Sequence, residues 1–440
     1  MDVVRRVLTV GPYPQMNEGN ADLYKAFCWR FWYLVRDGGH IGVVLPRTAL
    51  SGAGSTQWRE AIYSQGRFED TTVLLNTRQW VFDDVDGRYT FALVSVARGD
   101  VPRVVHLRGP YASFDAYVAG MREPPLAFDA APFRTWTTGG AFPLLPSPEA
   151  GRVFVRMRAC PRLDSREQPW RARPIQGDFN ATTDRDEFIR DRGRRTDLWP
   201  VLSGAAFNLW TPETGEVFAW ADPDHVTRTL QTRRLNQQRR ASSPFAEFSR
   251  AWATDAATLP CRHPRVAFRD VTNRTNTRTV IASLLPPQVI VTNAAPYFLW
   301  PRGDARDQAY LLGLLCSVPL DWYARCVVEL HVNFHVLNGF PIPNPPRDDR
   351  RRRRVEEIAA RMAAVDDRYA EWAADVGIAP GRPDPEVRES LIAELDAVVA
   401  HLYGLGRDEV RAIFETFHPT WDYDARLDRV LAFHQAWSAE

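Results

Sequence analysis

Between Arg265 and Pro343 the chain alternates short apolar, β-rich runs with segments dense in arginine and asparagine. Val266–Phe268, Val289–Thr292 and Phe334–Leu337 have the composition of buried strands, and Tyr310–Val327 is apolar at helical length. His331–Leu337 then leads as a β-like segment into a Pro-rich exit. Arg269, Asn273, Arg274, Asn276 and Arg278 fall within ten residues. Guanidinium forks and amides can contact guanine and adenine edges bidentately, or grip phosphates. Asn293 and Asn333 supply further side chains of the same kind.

The totals bound the alternatives. At 440 residues the chain has room for two or three domains with sizeable cores. Formal net charge is +1, so any basic surface must arise from uneven distribution. Of 55 basic residues only Lys25 is lysine, which reads as genomic codon bias and warns against treating every arginine cluster as a DNA contact. It also excludes chemistry. No Gly-Lys pair exists for a Walker A loop, and Lys25 sits on a structural helix, away from Schiff-base work. The common nuclease centre that needs an acidic residue close before a lysine has no candidate either. The five cysteines form no C-x-x-C, so neither zinc ribbon nor disulfide framework is expected. His331 and His335 are four apart, but on a strand they would not chelate, and no metal is expected. The absence of a signal pattern and of a long apolar run predicts a cytoplasmic protein.

Along the chain, Asn20–Val35 is a helix pattern with Asn20 or Asp22 able to cap it. Ile41–Leu45 is a continuous apolar run of the sort buried in a parallel sheet. A helix is expected over Ser55–Tyr63, and strands over Phe68–Leu75 and Tyr89–Ala97. Prolines and Gly139-Gly140 punctuate 106–150, read as a connector with a short helix at Phe114–Met121. Val153–Met157 is a candidate strand. Arg228–Arg240 reads equally as a charged helix face or a phosphate-binding edge. Arg350–Arg354 reads as a solvated linker or a phosphate clamp. Long amphipathic helices are expected over 355–376 and 386–403.

Several of these pieces resemble adenine-specific DNA methyltransferases of the Eco57I type, found in restriction–modification enzymes. They are the R-D-x-x-x-x-T-N-x-R-T run at Arg269–Thr279, Leu320-Asp321-Trp322, the segment His331–Pro343, and Gly204–Trp210. Ala21–Tyr24, Gly38–Pro46, Val81–Asp86 with Arg88–Phe91, and Leu395–Phe417 match the family too, in the same order. The resemblance implies an α/β fold. Residues 1–105 would be the C-terminal part of a Rossmann-like methyltransferase sheet. Residues 106–150 would connect it to a mixed α/β target-recognition domain at 151–345, and 346–440 would be a structural helical segment.

It further implies that Phe82 stacks on an adenine extruded from the duplex. Arg88, Arg269, Asn273, Arg274, Asn276, Arg278, Asn293 and Asn333 would contact DNA. The family's cofactor is S-adenosylmethionine, bound by a Gly-rich loop, and an Asn-Pro-Pro-Tyr/Phe motif holds the adenine amino group. Neither is present. Asn344-Pro345-Pro346 follows the recognition region, and Gly52-Ala53-Gly54 reads as a helix-start turn. The chain is therefore expected to supply DNA recognition and part of the catalytic domain of an N6-adenine methyltransferase, with little activity alone. It would be a truncated product, or would work with a separate chain carrying the first part of the catalytic domain. The alternative is a non-catalytic DNA-binding specificity subunit of a restriction–modification or phage-defence system. A degenerate remnant with exposed sheet edges is a third reading.

Overall fold

The structure, a computed structural model, describes residues 6, 10–14, 16, 18, 22–99, 104–272, 276–418 and 422–438. It is mixed α/β and divides into two compact units, 1–155 and 156–440.

The first unit opens with helix α1 (Leu23–Leu34), whose start is capped by the Asp22 carboxylate accepting from the Tyr24 amide at 3.3 Å. Strand β1 (His40–Pro46), helix α2 (Thr56–Gln65), and strands β2 (Gly66–Leu75), β3 (Thr90–Arg98), β4 (Val104–Tyr111) and β5 (Leu126–Asp129) follow. The sheet order is β1-β3-β2-β4-β5. β3 runs antiparallel to both β1 and β2, β2 pairs parallel with β4, and β5 is antiparallel to β4. β1, expected inside a parallel sheet, is instead an edge strand with an antiparallel neighbour. Its residues alternate between exposed and partly covered, and Val44 is 52 % exposed.

The stretch 106–150 is more than a connector. It supplies most of β4 and all of β5, and its Gly139-Gly140 turn docks on α2. The fully buried Arg59 makes that joint, donating to Gly139 O at 3.0 Å, Gly52 O at 2.9 Å and Ala49 O at 3.1 Å. Both glycines have φ above +60°, which a side chain would strain, and Tyr63 hydroxyl donates to Gly140 O. Pro110 lies near the end of β4, where the pairing with β2 shifts register, and the other prolines of this stretch lie outside its strands. Phe133 and Phe142, from the same stretch, pack edge to face at 5.0 Å in the core. Val153–Met157 is helical, within α3 (Pro148–Arg158). Ala150, Val153, Phe154 and Met157 are all buried, and that three-to-four spacing makes one helical face.

The second unit holds two sheets. β10 (Ala282–Leu285), β9 (Arg265–Phe268), β12 (Tyr297–Arg302) and β6 (Arg171–Ile175) form an antiparallel sheet in that order. β11 (Ile290–Val291), β7 (Trp199–Leu202) and β8 (Ala219–Ala221) form the other. All residues of β9 and β10 are buried, which explains why Val266–Phe268 and Leu284–Leu285 show no polar alternation. Helix α4 (Pro223–Gln238) follows β8.

The expected helix at 310–327 is two helices, α5 (Ala305–Cys316) and α6 (Val318–Val327). Ser317 starts the second by accepting from the Leu320 amide, and Pro319 suits a first turn but not a helix interior. The β-like segment at 331–337 is likewise corrected. Phe334–Leu337 is a single helical turn, α7, which aims Leu337 inward. Helix α8 (Arg350–Ala363) contains the five arginines, so they are neither linker nor loop. Cations at a helix N-terminus oppose its dipole, and buried carboxylates compensate here. Arg352 is fully buried between Asp307 (2.5 Å) and Glu356 (2.9 Å), Arg354 reaches Glu394 at 2.6 Å, and Arg350 lies over the Trp437 ring. The expected helix over 355–376 breaks after Ala363, and α9 (Ala370–Val376) starts afresh.

Helices α10 (Pro385–Leu402), α11 (Arg407–Phe417) and α12 (Asp424–Ser438) complete the unit. They fasten to the region before them through Asp396, which accepts from the Val318 amide at 2.7 Å and from Arg426 at 2.6 Å. Tyr403 and Tyr310 donate to the carbonyls of Pro341 and Pro343 at 2.7 and 2.8 Å, and the Ile342 amide between them donates to Pro161 O at 2.7 Å, so the Pro-rich exit is pinned.

Candidate nucleic-acid interface

In the first unit the loop between β2 and β3 carries Phe82. Asn76, fully buried, organises it. Its amide nitrogen donates to the carbonyls of Phe82 (3.0 Å) and Val85 (2.9 Å), and its oxygen accepts from the amides of Val81 (3.1 Å) and Phe82 (3.0 Å). Trp80 Nε1 donates to Leu75 O at 2.6 Å. Arg78 and Gln79 both have φ near +60°, a conformation rare in non-glycine residues. The loop is thus held in one shape. It presents Phe82 39 % exposed, with one ring face edged by Phe91 at 4.7 Å. Arg88 is engaged locally by Asp86 at 2.6 Å, and the guanidinium holds the Asp86 carboxyl down at about 2. Asp83 and Asp84 are exposed beside it, so the loop is acidic and suits a base more than a phosphate.

In the second unit the arginine-asparagine run is a loop whose two stems are clamped from inside. On the incoming side Arg269 is half-buried and donates through Nε to Phe207 O at 3.0 Å, with burial lowering its pKa. The Thr272 hydroxyl donates to Thr279 O at 2.7 Å, across the loop. On the outgoing side Arg278 is buried. It donates to Asp321 at 2.8 Å and to the carbonyls of Cys316 (2.6 Å) and Ser317 (2.9 Å). Asp321 also accepts from the amides of Thr279 (2.9 Å) and Val280 (2.6 Å), and Arg325 donates to Asn276 O and Thr277 O. Asn276 is partly covered, its amide 3.5 Å from the Thr272 hydroxyl. Arg278 is therefore a core residue where a DNA contact was expected, and Arg269 a clasp. Asn273 and Arg274 lie outside the described residues.

Backbone pairing gathers the other predicted residues around this loop. Asp270 N donates to Ala294 O at 3.2 Å and Val332 N to Asp270 O at 2.9 Å, while His331 Nδ1 lies 3.2 Å from Asp270 Oδ2. Asn293 and Asn333 thus flank the loop. Asn293 is used structurally, its Oδ1 accepting from the Ala181 amide at 2.9 Å and its carbonyl from Gln176 at 2.6 Å. Asn333 is exposed and makes no side-chain cap to the turn it begins. Val271 is 61 % exposed at the loop stem. The 204–208 segment closes the other side, with Gly204 so near Ala294 O that an added Cβ would sit 3.0 Å away.

The sequence reading missed Asn76, although an asparagine ending a strand before a turn-rich segment is a signal for such a role. It also missed the buried pair Arg265–Asp178, at 2.9 Å, which nothing local in the sequence announces.

Among the described residues no group of three His, Cys, Asp or Glu could hold a metal ion, and no helix is long and apolar enough to cross a membrane. The Gly52–Gly54 turn does not fit S-adenosylmethionine. A Cβ at Gly54 would meet Glu18 O and Lys25 Nζ, each at 2.5 Å, so that turn is packed against protein rather than open to a phosphate or carboxylate.

No protein-family profile and no curated protein matches the chain. Solved structures do. The Type IIL restriction-modification enzyme MmeI, solved in complex with DNA, aligns over 100 % of this chain and 55 % of its own, with a TM-score of 0.50 and 12 % identity. The type IIG restriction endonuclease BpuSI (14 % identity, TM-score 0.32) covers 92 % of this chain and 52 % of its own. The DrdV–DNA complex (9 % identity, TM-score 0.34) covers 99 % of this chain and 52 % of its own. The likeness to MmeI is one of fold. The chain spans about half the length of the solved structures it matches.

Proposed function

We propose that this chain is the target-recognition part, with the second part of a Rossmann-like catalytic domain, of a restriction–modification DNA methyltransferase acting on the N6 of adenine. The observation that carries the reading is the whole-chain fold likeness to MmeI, an enzyme solved on DNA. Two features support it. The rigid Phe82 loop offers a half-exposed aromatic face, as stacking on an extruded base requires. The two stems of the 270–279 segment are held by an internal scaffold, and Asn333 is exposed beside them, as base readout requires.

S-adenosylmethionine, the methyl donor of such enzymes, would be held elsewhere than the Gly52–Gly54 turn, so no step of methyl transfer is assigned to residues of this chain. The first part of such a catalytic domain would hold it. β1 suits that arrangement, because among the described residues its outer edge pairs with no strand. Phe27, Tyr33 and Leu34 of the neighbouring α1, with Val44, expose apolar surface of the kind partners cover.

The test is selection from a random duplex library by the purified chain. Labelled methyl transfer from S-adenosylmethionine is then measured on the enriched duplex, alone and with the product of the upstream reading frame. Enrichment of one sequence, with methylation only when the second protein is present, is expected. Binding without sequence preference would overturn the recognition role. Sequence selection with no methylation in either mixture would favour the specificity-subunit reading.

A further inference from the structure

The second unit contains a cleft of about 420 Å³, lined in part by Phe334 of α7 and by Asn338 just after it. It lies between β6 with its following turn, helix α4, and the segment 242–245. That volume is within the range that encloses a small molecule, about 300–1,000 Å³. Its walls combine flat apolar surface from Leu230, Leu259 and Phe245 with arginines 173, 233 and 234 and the amides of Gln176 and Gln237.

The charges there do not balance. Arg234 is only 2 % exposed, yet no carboxylate lies within ion-pair distance of it among the described residues. Its guanidinium donates to the Thr258 hydroxyl at 2.8 Å, to Asp255 O at 2.7 Å and to the Gln231 amide oxygen, and lies over the Trp252 ring at 4.7 Å. Its Nε has no partner. A buried cation held by neutral acceptors and one unmet donor is costly unless an anion joins it. Asp255 offsets it in part through its charge but forms no ion pair with it, and the other acids nearby are engaged elsewhere. Glu247 serves Arg171 at 2.5 Å as well as Arg173 at 2.8 Å. Asp184 pairs with Arg233 at 3.0 Å, and the Glu187 carboxylate is 3.8 Å from Arg233 while binding His225 at 2.7 Å. Asp178 is spent on Arg265, the Tyr297 hydroxyl and the Val291 amide, each at 2.9 Å.

We propose that this cleft binds a nucleotide, its phosphate drawn to Arg234 and the adjacent arginines, its base lying on the apolar wall and read by Gln176 and Gln237. A bare phosphate would leave the apolar wall and the amides unused. The chemistry is the same for a free mononucleotide and for one turned out of a DNA strand. The inference stands apart from the methyltransferase reading, since it needs no catalytic half.

The test is titration of the full chain with the four 2′-deoxynucleoside 5′-monophosphates, followed by calorimetry. The matching nucleosides and inorganic phosphate are the controls. At least one monophosphate is expected to bind about tenfold or more tighter than its nucleoside and than phosphate. R234M, which removes the charge at similar volume but also the bonds to Thr258, Asp255 and Gln231, is expected to lower Tm modestly and, in the folded protein, to lose that preference. Q237A, at an exposed position, is expected to weaken the nucleotide and leave phosphate binding unchanged. Competition of the bound nucleotide by a duplex containing an unpaired base would assign the site to DNA, and its absence to a free nucleotide. Phosphate binding as tightly as every nucleotide, or no binding by any of them, would overturn the proposal, whatever the duplex-selection experiment gives. Unaltered nucleotide affinity in both R234M and Q237A would overturn it as well.

Discussion

The Asp321 carboxylate accepts from Arg278 Nε at 2.8 Å inside the second unit, across 43 positions of sequence. Asp321 is fully buried in the apolar helix α6, and it also receives the amides of Thr279 and Val280. One acid therefore ends the arginine-asparagine loop, seats its outgoing strand and joins it to a helix. The residues that most suggested DNA contacts are partly the scaffold from which such contacts would be displayed.

Removing either partner of this pair leaves a buried charge uncompensated. D321A and R278A are each expected to cost about 3–5 kcal/mol. The double change to apolar residues of similar volume, D321L with R278M, is expected to cost far less than the two single changes together. Urea unfolding followed by far-UV dichroism checks this. Equal additivity would mean that the pair is not coupled.

Asn76 is expected to matter more than Phe82 for stability, and less directly for DNA. N76A removes four hydrogen bonds of the β2–β3 loop, leaving the Val81 and Phe82 amides without their acceptor, and is expected to cost about 1–3 kcal/mol. F82A, at a half-exposed position, is expected to change stability by no more than about 0.5 kcal/mol. Hydrogen exchange at Val81 and Phe82 amides reports the loop directly. Unchanged protection in N76A would show that the loop is held by something else.

The two flanking asparagines should separate cleanly. N333A removes an exposed amide with no structural hydrogen bond, so Tm should hold. If Asn333 reads a base, specific DNA affinity should fall relative to non-specific affinity by about 1–3 kcal/mol. N293A removes the acceptor of the Ala181 amide and is expected to lower stability by about 1 kcal/mol. Titrations of cognate and scrambled duplexes at one salt concentration decide the first, and thermal unfolding the second.

Much of the fold was legible because local patterns were strong. β2, β3, α1 and α10 were placed within a few residues by apolar periodicity and by signals such as Asp22 and Gly404. The errors have tertiary causes. β1 is apolar enough for a sheet interior yet lies at an edge. The segment 106–150 looked like a linker because proline marks turns in loops and in sheet proteins alike. Tyr310–Val327 concealed a break because Ser317 and Pro319 are only a cap and a first turn once the chain bends there. Candidate site residues were less legible still. An arginine that binds a phosphate and one that clasps a carbonyl, as Arg269 does, have the same sequence signature. Only burial and partner geometry tell them apart.

Glu247 gives the pH dependence its sign. Burial alone would raise its pKa, but the hydrogen bond from Arg171 and the charges of Arg173 and Arg171 outweigh that and hold the carboxyl below the usual glutamate value. A carboxyl whose folded pKa is depressed binds fewer protons folded than unfolded. Its contribution is fully present above the unfolded glutamate value of about 4.3 and is lost as the pH falls through the lower folded value. E247Q should therefore be clearly less stable than the parent at pH 7 and approach it near pH 3. Urea midpoints of both proteins at the two pH values measure the difference. An equal gap at both would mean that the charge of Glu247 contributes nothing, and that the arginines at the mouth of the cleft are held by geometry alone.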